Sequence, residues 1–445
     1  MICPLVAAAA GHADDPQLAP VPPALITLST WSEARGLLDE GSLDLRAAEA
    51  AVVQAQGRWR QSLSSLLPHA ALTAGVGYDV LNPASPVPAG GVNLGNALFS
   101  GSAAPAPTAP LGSAGATLRQ SVVDLSAWSA LDVADAATRA AEASVEDVRR
   151  RQTRVLARAV ATAASSERIA EIGRTGLRQA LERAALTERL VALGAASQLD
   201  VVRVQQDVAV ARTALTTVDE ALRTAREALG AALGLAEPVS VSPAFALDGL
   251  IADAAAPCQA LDREHVDDRA DVTSARARRD AAEAARRAAW TGYLPTLGLA
   301  SNVGAYTSDP GPGRFASWTI AAVIAVPLWE GGFREGLVAE RSGAVLGADA
   351  ALAVARRDAL LEHRRAASAE RAAAALVDSA REAHGLALEL DRLTRRAFEL
   401  GRADSFDLVQ SGVVLRQAQL ELALREADWL RARLDAFFTL ARCPA

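Results

Sequence analysis

The stretches "LGAASQLDVV" (193–202) and "LGRADSFDLV" (400–409) spell one event twice, 207 positions apart. Each reads Leu-Gly, four small or polar residues, a bulky apolar residue, Asp and two aliphatics. A glycine closing a long helical pattern marks a C-cap, because it enters the left-handed region without a Cβ clash. Ser197 and Asp404 then suit the N-cap of a following helix. Asp200 and Asp407, three residues on, complete a capping box, and their charge suits a helix N-terminus. The same helix–turn–helix joint is therefore expected at both places.

Working outward, other landmarks recur in the same order. "SLLPHAALTAGVGY" (65–78) pairs with "GYLPTLGLASNVGAY" (292–306), and "SVVDLSAW" (121–128) more loosely with "IAVPLWEGG" (324–332). The chain thus reads as an internal duplication: 28–234 and 263–445, with a linker at 235–262 and a signal-like, flexible segment at 1–27. Each half carries a helix, a strand, a loop, a strand, a very long helix, a tight turn and a medium helix. Aliphatics at three- and four-residue intervals predict helices near 44–65, 128–193 and 198–234, then 263–291, 333–400 and 405–441. A helix of about 66 residues is about 100 Å long and needs a partner along its whole side. In each half the two shorter helices, stacked end to end, would span roughly the length of the long one.

Strands are expected at about 69–80, 116–124, 296–306 and 317–326. Leu72, Ala74, Val76 and Tyr78 share one face; Thr117, Arg119 and Ser121 share a polar one. Leu297, Leu299, Val303 and Ala305 oppose Thr296, Gly298, Asn302 and Gly304, while Trp318, Ile320, Ile324 and Val326 oppose Ser317 and Thr319. Any one such strand fits a soluble sandwich. Four of them, each about ten residues long with one apolar and one small polar face, match the wall of a water-lined membrane barrel. Two hairpins leave open edges, which lipid does not tolerate, so closure would need several copies of the chain. Residues 79–115 and 307–315, rich in Pro, Gly and small residues, read as the hairpin loops.

Composition narrows the function. The chain is 51% hydrophobic but only 4% aromatic, which favours close-packed helices over a large rounded core. It has no lysine, so all 45 basic residues are Arg, as codon bias alone produces. A formal charge of -7 without a basic stripe argues against nucleic acid. No run of about 18 apolar residues predicts a transmembrane helix. Cys3, Cys258 and Cys443 lack C-x-x-C spacing and nearby His, so no zinc site is expected. "MICPLVAAAAGHADD" (1–15) resembles the tail of a secretory signal without its basic start, and its removal would leave Cys258 and Cys443 free to pair. "VIAVPLWEGGFREG" (323–336) fits neither phosphate-loop spacing and reads as a strand-to-helix bend. No cofactor, metal or catalytic constellation is expected, and the protein is read as a non-enzyme.

The doubled strand-pair and long-helix halves, the Leu-Pro steps, "SVVDLSAW", "VPLWEGG" and the twin Leu-Gly turns resemble TolC-type outer-membrane efflux proteins over about 28–441. That resemblance implies a mixed α and β homotrimer. Four strands per chain would build one 12-stranded outer-membrane barrel, continued by a coiled-coil helical barrel in the periplasm of a Gram-negative bacterium. It further implies a passive exit duct for small solutes, multidrug resistance included, served by an inner-membrane pump through a periplasmic adaptor (membrane fusion protein). Besides outer-membrane lipid and these proteins, no partner is implied. The duct of a type I protein secretion system is the alternative, and a non-channel coiled-coil adaptor or scaffold a remoter one.

By the same resemblance the twin turns lie at the periplasmic entrance. Three copies of Asp407 would ring the axis, with Asp404 beside it; Gln410 stands where relatives can carry a second Asp, leaving one acidic ring rather than two. Asp200 holds the equivalent place in the first repeat, where polar links between neighbouring helices would keep the entrance shut. Gly194, Ala195, Ala196 and Ser197, with Gly401, Arg402 and Ala403, would be the tips touched by the adaptor. Capping and gating are compatible roles for these aspartates.

Overall fold

The computed structural model describes residues 16–78, 80, 111–194, 196–242, 245, 247–256, 259–260, 263–307, 316–439 and 441–442. Ala195, the three cysteines, the signal-like run to residue 15 and most of both hairpin loops lie outside the described residues. The principal helices repeat almost residue for residue. Helices α2 (Leu43–Ser64) and α6 (Ala270–Thr291) have 22 residues each. The long helices α3 (Leu125–Ala192) and α7 (Phe333–Glu399) have 68 and 67. Helices α4 (Gln198–Ala232) and α8 (Ser405–Thr439) have 35 each. Two shorter helices, α1 (Trp31–Gly41) and α5 (Leu247–Ala255), complete the α set among the described residues. None of the described helices is long and apolar enough to cross a membrane.

Chain contacts divide the protein into two compact units, each drawing on both halves of the sequence. One comprises 50–143 and 274–353. It holds a four-stranded antiparallel sheet of β2 (His69–Gly77), β3 (Leu111–Val123), β6 (Thr296–Tyr306) and β7 (Ala316–Ala325), in the order β2-β3-β6-β7. Paired residues share a face. Thr73, Gly115, Gly304 and Ser317 form one cross-sheet row; Ala71, Thr117, Asn302 and Thr319 form the next; His69, Arg119, Ala300 and Ala321 the third. The opposite face carries Leu72, Val76, Trp318, Ile320 and Ile324, each at least 69% exposed. The Trp318 indole N–H is satisfied there by Ser301 Oγ at 2.9 Å. β3 begins at Leu111, five residues earlier than the alternation predicts, because β2 on one side and β6 on the other both supply ladder partners to the Gly- and Ser-rich start. β2 ends at Gly77, and Tyr78 lies beyond it. After β7, Gly331 and Gly332 take positive φ values of 63° and 87° and turn the chain into α7, the bend expected of "VPLWEGG".

The second unit comprises 1–49, 144–273 and 354–445. One cluster of its core joins Leu28, Trp31 and Leu38 to Leu156 and Val160 of α3, Leu229 and Leu233 of α4, and Leu434 and Phe438 of α8. Two pieces of this cluster differ from the reading of the sequence. Strand β4 (Val239–Val241) falls in the stretch read as a linker. It pairs in parallel with β1 (Ile26–Leu28), two of whose residues lie in the segment read as flexible. Both strands are three residues long, too short for periodicity to mark, and they exist because Leu28 and Val239 are fully buried beneath the helices. Strands β5 (Gln259–Ala260) and β8 (Ala441–Arg442) form a second small antiparallel pair. A second core cluster, Leu177, Leu181 and Ala184 of α3 against Val204, Val208, Ala211 and Leu215 of α4, follows the a/d spacing of a coiled coil.

Candidate functional site

The twin turns are built as their residues require. Gly194 and Gly401 have φ of 73° and 68°, the left-handed region where a Cβ costs energy. At the second turn the Gly401 and Arg402 amides donate to Phe398 O (2.9 Å) and Ala397 O (2.8 Å), a complete Schellman closure of α7. In the first joint the Asp200 amide donates to Ser197 Oγ (3.3 Å), and the Ser197 amide donates back to Asp200 Oδ2 (2.9 Å). In the second the Asp407 amide donates to Asp404 Oδ1 (2.9 Å), and the Asp404 amide to Asp407 Oδ2 (3.4 Å). Both aspartate pairs are therefore capping boxes, with Asp filling the place Glu or Gln usually takes.

Beyond capping, the two aspartates part company. Ser405 at the start of α8 donates its hydroxyl to Asp200 Oδ1, so the first repeat's carboxylate is tied to the second repeat. The Arg203 guanidinium sits 5.6 Å from the centre of the Phe406 ring and 3.5 Å from Asp200 Oδ1. The Ser405 hydrogen bond, then those from Ser197, pull the Asp200 carboxyl down to about 2. Asp407 and Gln410 are exposed on α8, and among the described residues Asp407 has no ion pair. Arg402 and Gly401 are exposed; Ala403 and Ala196 are half-buried.

A cluster that the sequence reading missed lies seven residues along α4 from Asp200. The Asp207 carboxylate, its side chain 1% exposed, accepts from Arg183 of α3 at 2.8 Å and from Arg416 of α8. Two guanidiniums thus share one carboxylate inside the unit, joining three helices. Arg183 Nε and Nη1 are buried without a hydrogen-bond partner among the described residues, so Asp207 carries the compensation for that site. Two mid-helix glycines make the room: a Cβ at Gly412 would lie 2.8 Å from Arg183 Cζ, and one at Gly176 2.7 Å from Arg416 Cδ. Those glycines were the available signal, since an isolated glycine in a helical pattern marks a close approach. In α8 the position seven past Asp407 is Val414.

The sequence profile described as outer membrane efflux protein matches residues 36–235 and 263–435. This chain belongs to that family. The match is interrupted at 236–262, where the sequence carries the stretch between its two halves. Among solved structures, the outer membrane protein VceC of Vibrio cholerae superposes with a TM-score of 0.72 at 20% identity, covering 92% of this chain and 96% of that one. The CmeC outer membrane channel of Campylobacter jejuni gives 0.72 at 14%, covering 96% and 91%. The open-state MtrE outer membrane channel of Neisseria gonorrhoeae gives 0.71 at 17%, covering 92% and 88%. At these identities the superpositions show a shared fold alone. No curated protein matches the chain significantly.

Proposed function

We propose that three copies of this chain close one 12-stranded barrel in the outer membrane and form a passive exit duct. Its helical part would stand in the periplasm, where an adaptor and an inner-membrane pump deliver small solutes. The observation that carries this is the sheet. Its apolar face is exposed, its other face carries mostly small or polar side chains, and both β2 and β7 are edges. Unpaired edge amides and carbonyls in hydrocarbon each cost several kcal/mol, roughly, so a lipid-facing sheet of four strands needs neighbours at both edges. The helices ask for neighbours too. Leu386, Leu390 and Leu393 recur at i, i+4 and i+7 on α7 and are 69%, 48% and 52% exposed, an apolar stripe suited to another helix.

The twin turns would then be the entrance. Asp200 with Ser405, and Arg203 with Phe406, would link neighbouring helices in the shut state, while three copies of Asp407 form a solvated acidic ring that draws cations. The tips around Gly194, Ser197, Gly401 and Arg402 would meet the adaptor, whose contact competes with the Asp200 link. Purified protein added to planar lipid bilayers tests this reading. Discrete, long-lived conductance steps are the expected result; protein that inserts yet conducts nothing at any voltage counts against a duct.

A further inference from the structure

Arg119 is the only Arg, Asp or Glu on β2, β3, β6 and β7. It stands on the sheet's polar face, in the row His69, Arg119, Ala300 and Ala321, with His69 its direct cross-strand neighbour. A cavity of about 1180 Å³ lies against this face, bordered by His69, Arg119, Ser121, Asn302, Ser317 and Thr319. Charged groups at two of the joints between sheet and helices are engaged. Asp124 caps α3, accepting from the amides of Ser126 and Ala127 at 3.0 Å each and from the Ser121 hydroxyl at 3.3 Å. Arg334 is paired with Glu330 at 2.8 Å and donates to Pro327 O. Arg119 is exposed and has no ion pair among the described residues. A fixed charge is costly on a lipid-facing wall but tolerated on a watered one, where it acts on what passes.

We propose that Arg119 is a selectivity residue of the barrel: its three copies, each beside a His69, attract the anionic groups of solutes such as small carboxylates and phosphates. This rests on the duct reading above. It gives the pathway two stations of opposite sign, Asp407 at the entrance and Arg119 in the barrel. Its row of His69, Ala300 and Ala321 holds no carboxylate to oppose its charge.

The test is the reversal potential of single pores in asymmetric potassium chloride, with potassium and chloride as the probes. Three unit charges at about 10 Å across water change the relative permeability of an ion about two- to fivefold, most at low salt. Arg119→Gln should lower the chloride-to-potassium permeability ratio by that factor, Arg119→Glu should lower it further, and Arg119→Lys should keep it. The absence of native lysine supplies a second measurement on an already folded pore. In Arg119→Lys the only side-chain amine is at 119, so acetylation should shift the potential as Gln does and succinylation as Glu does, with wild-type pores unmoved. Pores whose potential is the same in Arg119→Gln, Arg119→Glu and acylated Arg119→Lys overturn the proposal while leaving the duct standing. Wild-type protein that forms no pores overturns the duct reading, and this inference with it.

Discussion

The two turns share a sequence pattern and a left-handed glycine, yet their aspartates stand in different surroundings. Asp200 and Asp407 each close a capping box, so each has a purely structural reason to exist. Asp200 is also bound across the repeats by Ser405, and seven residues on, α4 places Asp207 between two buried arginines. Asp407 has neither: its carboxylate is exposed, and the position seven residues on is Val414. The same motif is tied across helices in one copy and left exposed to solvent in the other. Under the proposed function, the tied charge would hold helices together and the exposed one would act on solutes.

The largest effect should come from breaking the buried Asp207 cluster. Asp207→Ala leaves two buried guanidiniums without their carboxylate, and breaking a buried pair in this way costs about 3–5 kcal/mol; melting followed by circular dichroism of the extracted protein should show it. Gly412→Ala presses a Cβ against the Arg183 guanidinium and should cost about 1–3 kcal/mol. A wild-type melting curve for that variant would mean that Arg183 can move aside. Next comes the contrast between the turns themselves. Losing a capping side chain costs about 0.5–2 kcal/mol at either joint. Asp200→Ala should exceed Asp407→Ala by roughly one further hydrogen bond, about 1 kcal/mol, and Ser405→Ala should erase that excess. Equal losses at Asp200 and Asp407 would remove the asymmetry between the two joints.

Acid probes the first joint. The Asp200 carboxyl titrates at about 2, below its unfolded value, so its stabilisation is complete above the unfolded value and is lost as pH falls through about 2. In the same unit burial alone would raise Glu362, but the Arg154 and Arg269 guanidiniums outweigh it and hold it below the usual carboxylate range. Asp271 is likewise held down, against burial, by Arg269 and Arg150. All three should keep their pairs at mildly acidic pH. Infrared titration of the carboxylates should show Asp200 still ionised at about pH 3, where an unperturbed Asp is already mostly protonated. The smallest change in stability is expected for Asp407→Asn, which keeps a capping oxygen and should melt within about 0.5 kcal/mol of wild type. Its bilayer reversal potential should nonetheless show weaker cation preference; an unchanged value would leave Asp407 as a helix cap only.

Much of this was legible because it is local. The glycine, the N-cap and the aspartate three residues later sit within eight positions, and periodicity over 67 or 68 residues can hardly be misread. Strand β6 lies at 296–306, as the alternation predicts, and β7 at 316–325, one residue early. What escaped is non-local. Ile26 meets Val239, and Asp207 meets Arg183 and Arg416, the three coming from three helices. Neither leaves a periodic trace, and only Gly176 and Gly412 hinted at the Asp207 cluster. The start of β3 was hidden because Gly, Ser and Ala read as loop until partners on both sides supply the ladder. The partner of Asp200 was hidden because a serine at the start of a helix reads as part of a cap.

The most direct measurement is the mass of the protein extracted in mild detergent from the outer membrane of expressing Gram-negative cells, by native mass spectrometry. Three chains of 46.1 kDa, about 138 kDa less any cleaved leader, are expected, since β2 and β7 find each other only between chains. A stable 46.1 kDa species from correctly exported protein would leave both edges of the sheet unpaired and contradict the barrel.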